Sequence, residues 1–451
     1  MSDPATAAAP SPRWATGAYA PVTEELTARD LTVIGRLPAE LDGRYLRNGP
    51  NPIGPIDPHT GHWFTGDGMV HGIRLRDGRA EWYRNRWIRS NAVSEALGEP
   101  PAPGERHGGL DTANTNVIGL AGRTFALVEA GARPVELTED LTTVGHSDLG
   151  GTLPHGYSAH PKRDPATGDL HAIAYHWAIP HLEYVVVAPD GRVRRVQPIE
   201  VEGGPMVHDC SITQRWMVVY DLPVAFDLDV AMNGGFPYTW QPERRARVGL
   251  VPLGGGAVRW FDVEPCYVFH PLNAYDDGER VVLEVVRYDR VFDRRRSSPD
   301  DTAAHWHRWT IDLAAGRVHE EQRSDVSFEF PRVDERLVGR PNRYGYGTTM
   351  SRSGDGNEFS GQLVRIDQSA GRTDIVDLGV GRTSGEWVMI PRHSGAAEDD
   401  GWLMGLVYDR DRDRSELVVV DAGAPDGLDP VARVELPARV PIGFHGNWLP
   451  S

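Results

Sequence analysis

At 451 residues, with 50 Gly, 35 Pro and 13 Trp spread along it, the chain suits many short strands and tight turns, either as two or three average domains or as one large repetitive β architecture. A formal net charge of −17 argues against nucleic acid or an anionic membrane surface as its main partner. Two cysteines, Cys210 and Cys266, cannot supply a disulfide framework or a thiolate metal cage, and read as small apolar residues on buried strands.

Residues 1–18 have neither a basic n-region nor an apolar h-region, so they read as a flexible tail and not as a secretory signal. No apolar run approaches the ~20 residues that a membrane helix needs, and a cytoplasmic location is expected. From residue 19 to 451 one pattern recurs, which makes this stretch a single domain: an alternating apolar strand, a Gly turn and a second alternating strand. Examples are "IRLRDGRAEWY", "ALVEAGARPVEL", "YVVVAPDGRVRRV" and "VRIDQSAGRTDIV". Gly accepts the positive φ that such hairpin turns demand. The turn glycines are Gly78, Gly131, Gly191, Gly256, Gly316, Gly371 and Gly427, separated by 53, 60, 65, 60, 55 and 56 residues. Seven hairpins at a near-constant period predict an all-β, seven-bladed β-propeller, with loops and short helices capping one face over the axis. A pair of β-sandwiches would supply strands too, but has no reason to hold such a period. One blade is lengthened by Asp221–Leu253, partly apolar with interspersed acidic residues. It reads as a scaffold cap in preference to a substrate entrance or membrane-docking patch.

Seventeen histidines are too many to read singly, but three keep phase with the repeat. His208, His270 and His445 follow their hairpin glycines by 17, 14 and 18 residues, and Glu329 and Glu386 follow theirs by 13 and 15. The ladder His208, His270, Glu329, Glu386, His445 therefore has gaps of 62, 59, 57 and 59 residues. Equivalent positions in successive blades lie at one radius and height, so such a ladder converges on the propeller axis. His160 supplies a fourth imidazole. Buried His and Glu need partners or a metal. Neutral imidazoles would bind the ion while carboxylates held their outer N–H groups. A hydrogen-bonded belt closing the ring is the plain structural alternative. Spacing alone does not choose among Fe, Zn, Cu and Ni.

The local contexts are more specific. "LRNGPNP", "HWFTGDGMVHG", "SAHPKRDPATGDL", "MVHDCSIT", "FHPLNAYDDG", "FEFPRVDERLVGRPNRYGYG" and "GFHGNW", in that order from about Tyr19 to Pro450, resemble the carotenoid cleavage oxygenase family. The resemblance implies a propeller with one mononuclear non-haem Fe(II) held by His160, His208, His270 and His445. It also implies that Glu129, Glu329 and Glu386 orient His208, His270 and His445 respectively. Trp387 stands where the family commonly has a proline after the last glutamate. Thr115 matches the residue that restricts one open coordination position, and O2 would use the other. The implied reaction is oxidative cleavage of a carbon–carbon double bond into two carbonyl products, needing no reductant, flavin or nicotinamide. That fits the lack of a dinucleotide fingerprint, since the Gly-rich "LGGGAV" leads into a strand and not a helix.

Family members act on carotenoids, apocarotenoids or phenylpropanoids such as stilbenes. The stilbene-cleaving branch places a Lys before the first glutamate to hold a phenolic oxygen. Here Val128 stands there, and Lys162 is the only lysine in the chain. A lipophilic polyene is thus expected, with Met206 and Phe269 as apolar walls near the metal or, more plainly, as propeller core. A stilbenoid cleaved by the same iron and O2 chemistry, a metal-dependent hydrolase and a non-catalytic scaffold are the alternatives. No obligate protein partner is expected, and weak peripheral membrane contact is hinted at only by the long insertion.

Overall fold

The computed structural model describes residues 13–57, 61–108, 111–293, 302–353, 356–424 and 428–451. Among them the strands form seven antiparallel blades around one axis, two of which share the long strand Arg317–Arg332. The second strands of the blades, such as Gly401–Asp409, and the third, such as Arg414–Asp421, are buried along almost their whole length. Each is covered on both faces by neighbouring blades, so the sequence there runs continuously apolar. Outer strands such as Val193–Glu200 are largely exposed or half-buried. The Asp77-Gly78 turn has both residues at positive φ, 50° and 70°, the twist that a two-residue hairpin requires.

Gly78, Gly191, Gly256, Gly316 and Gly371 each join the third and fourth strands of a blade. Gly427 lies outside the described residues. Gly131 is the exception: it sits between Arg123–Leu127 and Val135–Leu137, the second and third strands. In that blade the outer turn spans 138–142, and buried Leu141 takes the positive φ (69°) in place of a glycine. No glycine marks that turn, so the period had settled on the neighbouring loop.

Both chain ends are woven into the ring. Gly446–Pro450 pairs antiparallel with Gly43–Pro50 as the innermost strand of the first blade, from Gly43↔Pro450 to Arg47↔Gly446. Val33–Gly35 pairs with Pro430–Glu435 as the outermost strand of the last blade. Between these two blades Tyr45, Ile73 and Tyr83 pack with Met404, Val419 and Val434 in one fully buried cluster. A short 3-10 helix spans Arg13–Ala15, and Ala18 O accepts from Ile442 N at 2.8 Å. Cys210 and Cys266 are buried and unpaired, and burial pushes both thiols up to about 12.

The insertion is more than the expected cap. Arg247–Pro252 is an ordinary blade strand, while Val224–Phe226 and Tyr238–Trp240 form a ribbon carrying the short helix Leu228–Met232, capped by Asp227. Phe226, Leu228, Ala231, Met232, Phe236 and Tyr238 from this unit line an apolar cavity. Of the interspersed acidic residues that suggested a cap, Asp229 and Glu243 are exposed, Asp227 caps the helix and Asp221 is buried against Arg244 and Arg247. Among the described residues no helix is long and apolar enough to cross a membrane.

Candidate metal centre

The innermost strands deliver the site. Thr115, His160, His208 and His445 each stand one or two residues before an innermost strand begins, at Asn116, Lys162, Cys210 and Gly446. In the three longest inner strands the site residue instead sits where pairing slips. Register shifts fall between Val268 and Asn273, between Glu329 and Arg332, and between Ser384 and Trp387. Phe330 has φ 53°. These β-bulges re-aim His270, Glu329 and Glu386 toward the axis.

The four imidazoles are 4–8% exposed, and one ligand nitrogen from each lies within 4.8 Å of the others. His208 Nε2 and His270 Nε2 are 3.2 Å apart. Carboxylates stand behind three of the rings. His208 Nδ1 is 2.8 Å from Glu129, His270 Nδ1 2.7 Å from Glu329, and His445 Nδ1 2.9 Å from Glu386. Each carboxylate accepts a hydrogen bond from Nδ1–H, which keeps the proton on that nitrogen and leaves Nε2 lone pairs converging on one point. Converging lone pairs in a buried site suit a cation. The arrangement fits a divalent transition metal held by neutral nitrogen ligands.

The carboxylates are themselves held. Glu129 accepts from Tyr175 OH at 2.6 Å, and Glu329 from Tyr288 OH at 3.0 Å and Phe330 N at 2.6 Å. Glu386 accepts from Gly446 N at 2.8 Å and pairs with Arg332 at 3.0 Å. Burial alone would raise the Glu386 carboxyl, but Arg332 and His445 outweigh it and hold it down to about 2. Burial, reinforced by the other three imidazoles, pushes His160 well below the ordinary histidine range and keeps it neutral. Burial also lowers His445 despite Glu386, whereas at His270 the Glu329 carboxylate outweighs burial and raises it. His160 is the odd member. Its Nδ1 faces Asp209 at 3.9 Å, and that carboxylate is bound by Lys162 at 2.9 Å. Its Nε2 is buried without a hydrogen-bond partner.

An apolar cavity of about 650 Å³ abuts His208, His270 and His445. Thr115, Val128, Met206 and Phe269 all line it. Phe269 packs edge-on against His208 at 5.2 Å while belonging to the largest core cluster, so the wall and core readings describe one residue. Thr115 donates to Asn114 Oδ1 at 3.0 Å, and Asn114 Nδ2 in turn donates to the carbonyls of Phe64 and Gly66. This fixes the turn that places Phe64 against His208 and Phe236. Trp387 is fully buried, donates to Ser384 Oγ at 3.1 Å and lies flat over Gly405, where a Cβ would come within 2.7 Å of the indole.

Sequence reasoning passed over Tyr175, Tyr288, Arg332, Lys162 and Asp209 as partners of the site. Arg332 stands three residues after Glu329 inside a quoted block, which was a usable signal. The two tyrosines lie elsewhere in their blades and carry no phase.

The chain matches the family of the retinal pigment epithelial membrane protein, RPE65, over residues 19–450. It is 47% identical over 491 residues to a carotenoid cleavage oxygenase of Mycobacterium tuberculosis H37Rv, covering 96% of this chain and 97% of that one. It is 32% identical to a carotenoid 9,10(9',10')-cleavage dioxygenase of Crocus sativus, covering 96% and 88%. Among solved structures, the Pseudomonas brassicacearum lignostilbene dioxygenase superposes with TM-score 0.88 at 30% identity, covering 98% and 100%. Cobalt-substituted Synechocystis ACO gives 0.85 at 28% identity, covering 96% and 97%. With a propeller, an axial four-histidine cluster and full-length relatives named oxygenases, the chain belongs to the RPE65/carotenoid cleavage oxygenase family.

Proposed function

We propose that the protein is a non-haem Fe(II) dioxygenase that cleaves a carbon–carbon double bond of a carotenoid or apocarotenoid. The observation that carries this reading is a cluster of four converging imidazoles, three of which line an apolar cavity of about 650 Å³. Iron bound there supplies the activation of O2 that the chain's own side chains lack. Glu129, Glu329 and Glu386 hold the Nδ1 protons and keep the negative charge one step away from the metal. Phe64, Phe236 and Phe269 clamp a flat conjugated chain and exclude water from it. Thr115 narrows one approach to the histidines, leaving another for O2.

No Lys or Arg stands among the described residues of the cavity wall. A phenolic oxygen would find no basic side chain there to hold it, which favours a polyene over a stilbenoid, although one solved neighbour is named a lignostilbene dioxygenase. At the cavity mouth Trp177, Leu228 and Met232 are 52%, 59% and 78% exposed, an apolar rim through which the enzyme takes lipophilic substrate from a lipid surface.

Protein purified without oxygen should hold close to one iron per chain and convert β-carotene or an apocarotenal to two carbonyl products. His270→Ala should lose iron and cleavage together. Zinc or calcium in the site with hydrolytic activity, or full activity of His270→Ala at wild-type iron content, would overturn the reading.

A further inference from the structure

A second cavity, about 580 Å³, reaches three of the four histidines, His160, His270 and His445, with the opposite chemistry. Its walls come from the innermost strands of all seven blades, so it is the propeller's axial channel. Residues that follow a site residue in the chain line this channel: Asn116 after Thr115, Lys162 after His160, Ser211 after His208, Asn447 after His445. Several of those that precede one, such as Met206, Phe269 and Phe444, line the apolar cavity. The inner strands run in one direction, and the histidine layer separates an oily compartment from a polar one.

The imidazoles divide between the two. His208 lines only the apolar cavity, His160 only the channel, and His270 and His445 both. His160 is also the ring with no carboxylate hydrogen-bonded to Nδ1, and its buried Nε2 has no partner. Inside the channel Lys162 is paired with Asp209, Arg332 with Glu335 and Glu386, and Arg123 with Glu136, while Arg44 and Arg163 donate to backbone carbonyls and a hydroxyl and are the cations an entering ion meets.

A hydrated dication can shed water only where other oxygens replace it, because desolvating an ion without replacement costs many kcal/mol. The apolar cavity offers mainly phenyl and indole faces, its carboxylates Glu129 and Glu329 being taken by His208 and His270 and by two tyrosines; the channel offers Asp209, Glu335 and the amide groups of Asn116, Asn273 and Asn447. We infer that the axial channel is the route by which a divalent transition metal reaches the folded protein, meeting His160 first, while the apolar cavity serves the organic substrate. This rests on the reading of the four histidines as a metal site.

The test uses metal-free, folded full-length protein mixed rapidly with Co(II), followed by ligand-field absorption and not by activity. Two charge reversals at the channel give opposite expectations. Glu335 has a side chain 53% exposed, and Arg163 is exposed at the rim. At low salt Glu335→Lys should slow uptake about tenfold and Arg163→Glu should speed it by a similar factor, with final occupancy unchanged and both effects fading at high salt. Saturating decanol, which fills an apolar cavity, should leave the rate unaltered. Uptake that is blind to both reversals but slowed by decanol would overturn the route. So would metal capture only during refolding. If no ligand-field bands develop at equilibrium, the four-histidine metal site itself is wrong.

Discussion

Glu386 ties three parts of the chain together, and replacing it with Gln isolates what its charge does. The carboxylate side chain is 2% exposed and takes hydrogen bonds from His445 Nδ1 at 2.9 Å, Gly446 N at 2.8 Å and Arg332 at 3.0 Å. The amide keeps the shape, but its single carbonyl oxygen can accept on only one side while its NH2 faces donors on the other, so at least one contact is lost and the rest weaken, ~3 kcal/mol in all. Part of that cost is Arg332 left buried without its deeper partner. Metal affinity should fall about 10- to 100-fold, because His445 loses the group that fixes its tautomer and orientation. Urea unfolding of the metal-free protein measures the first quantity, and chelator competition for Co(II) the second. The double variant Glu386→Gln/Arg332→Met should recover much of the stability but little of the metal affinity. Wild-type affinity and an unchanged urea midpoint in Glu386→Gln would refute the assignment, as would a double variant no more stable than the single one.

Deletion of residues 442–451 removes His445 and the innermost strand of the first blade, so metal binding and cooperative unfolding should both disappear; a truncated chain that still binds Co(II) would show that the ring closes without its clasp. The acid stability of the metal-free protein should carry a Glu386 signature. Its carboxyl is depressed from 4.5 to about 2 in the fold, so its contribution is present above pH ~4.5 and lost as pH falls toward 2, by about 3 kcal/mol. The stability gap between wild type and Glu386→Gln should shrink over that window in pH-dependent urea titrations, and a constant gap would count against it. Val128→Lys introduces a cation into a wall that has none among its described residues, so the ratio of resveratrol to apocarotenal cleavage should rise at least tenfold; an unchanged ratio would remove position 128 from substrate choice.

Where a local rule acts, the sequence was readable. Asp77-Gly78 announces its hairpin because few other residues accept two successive positive φ values. His208, His270 and His445 stand out because a polar group repeated in phase must sit at one depth in a cyclic fold. The family motifs then gave the glutamates that stand behind those three rings. The misses share a cause. The buried Leu141 turn holds positive φ through packing, which leaves no mark on the residue type. Tyr175 reaches Glu129 across 46 residues of chain and Lys162 reaches Asp209 across 47, pairings made by blade-to-blade geometry with no local signature. The insertion caps the face as expected, and its aromatic side also lines the cavity, which its mixture of acidic and apolar residues did not announce.

The central claim is that iron held by His160, His208, His270 and His445 uses O2 to split a double bond of an apolar chain in the adjoining cavity. A single turnover of iron-loaded protein with an apocarotenal under 18O2, with both products trapped by reduction to alcohols and weighed by mass spectrometry, tests this most directly. Two fragments are expected in equal amounts, both carrying 18O, in proportion to bound iron and absent from metal-free protein. Cleavage that survives removal of the metal, or products whose new oxygens both come from water, would contradict it.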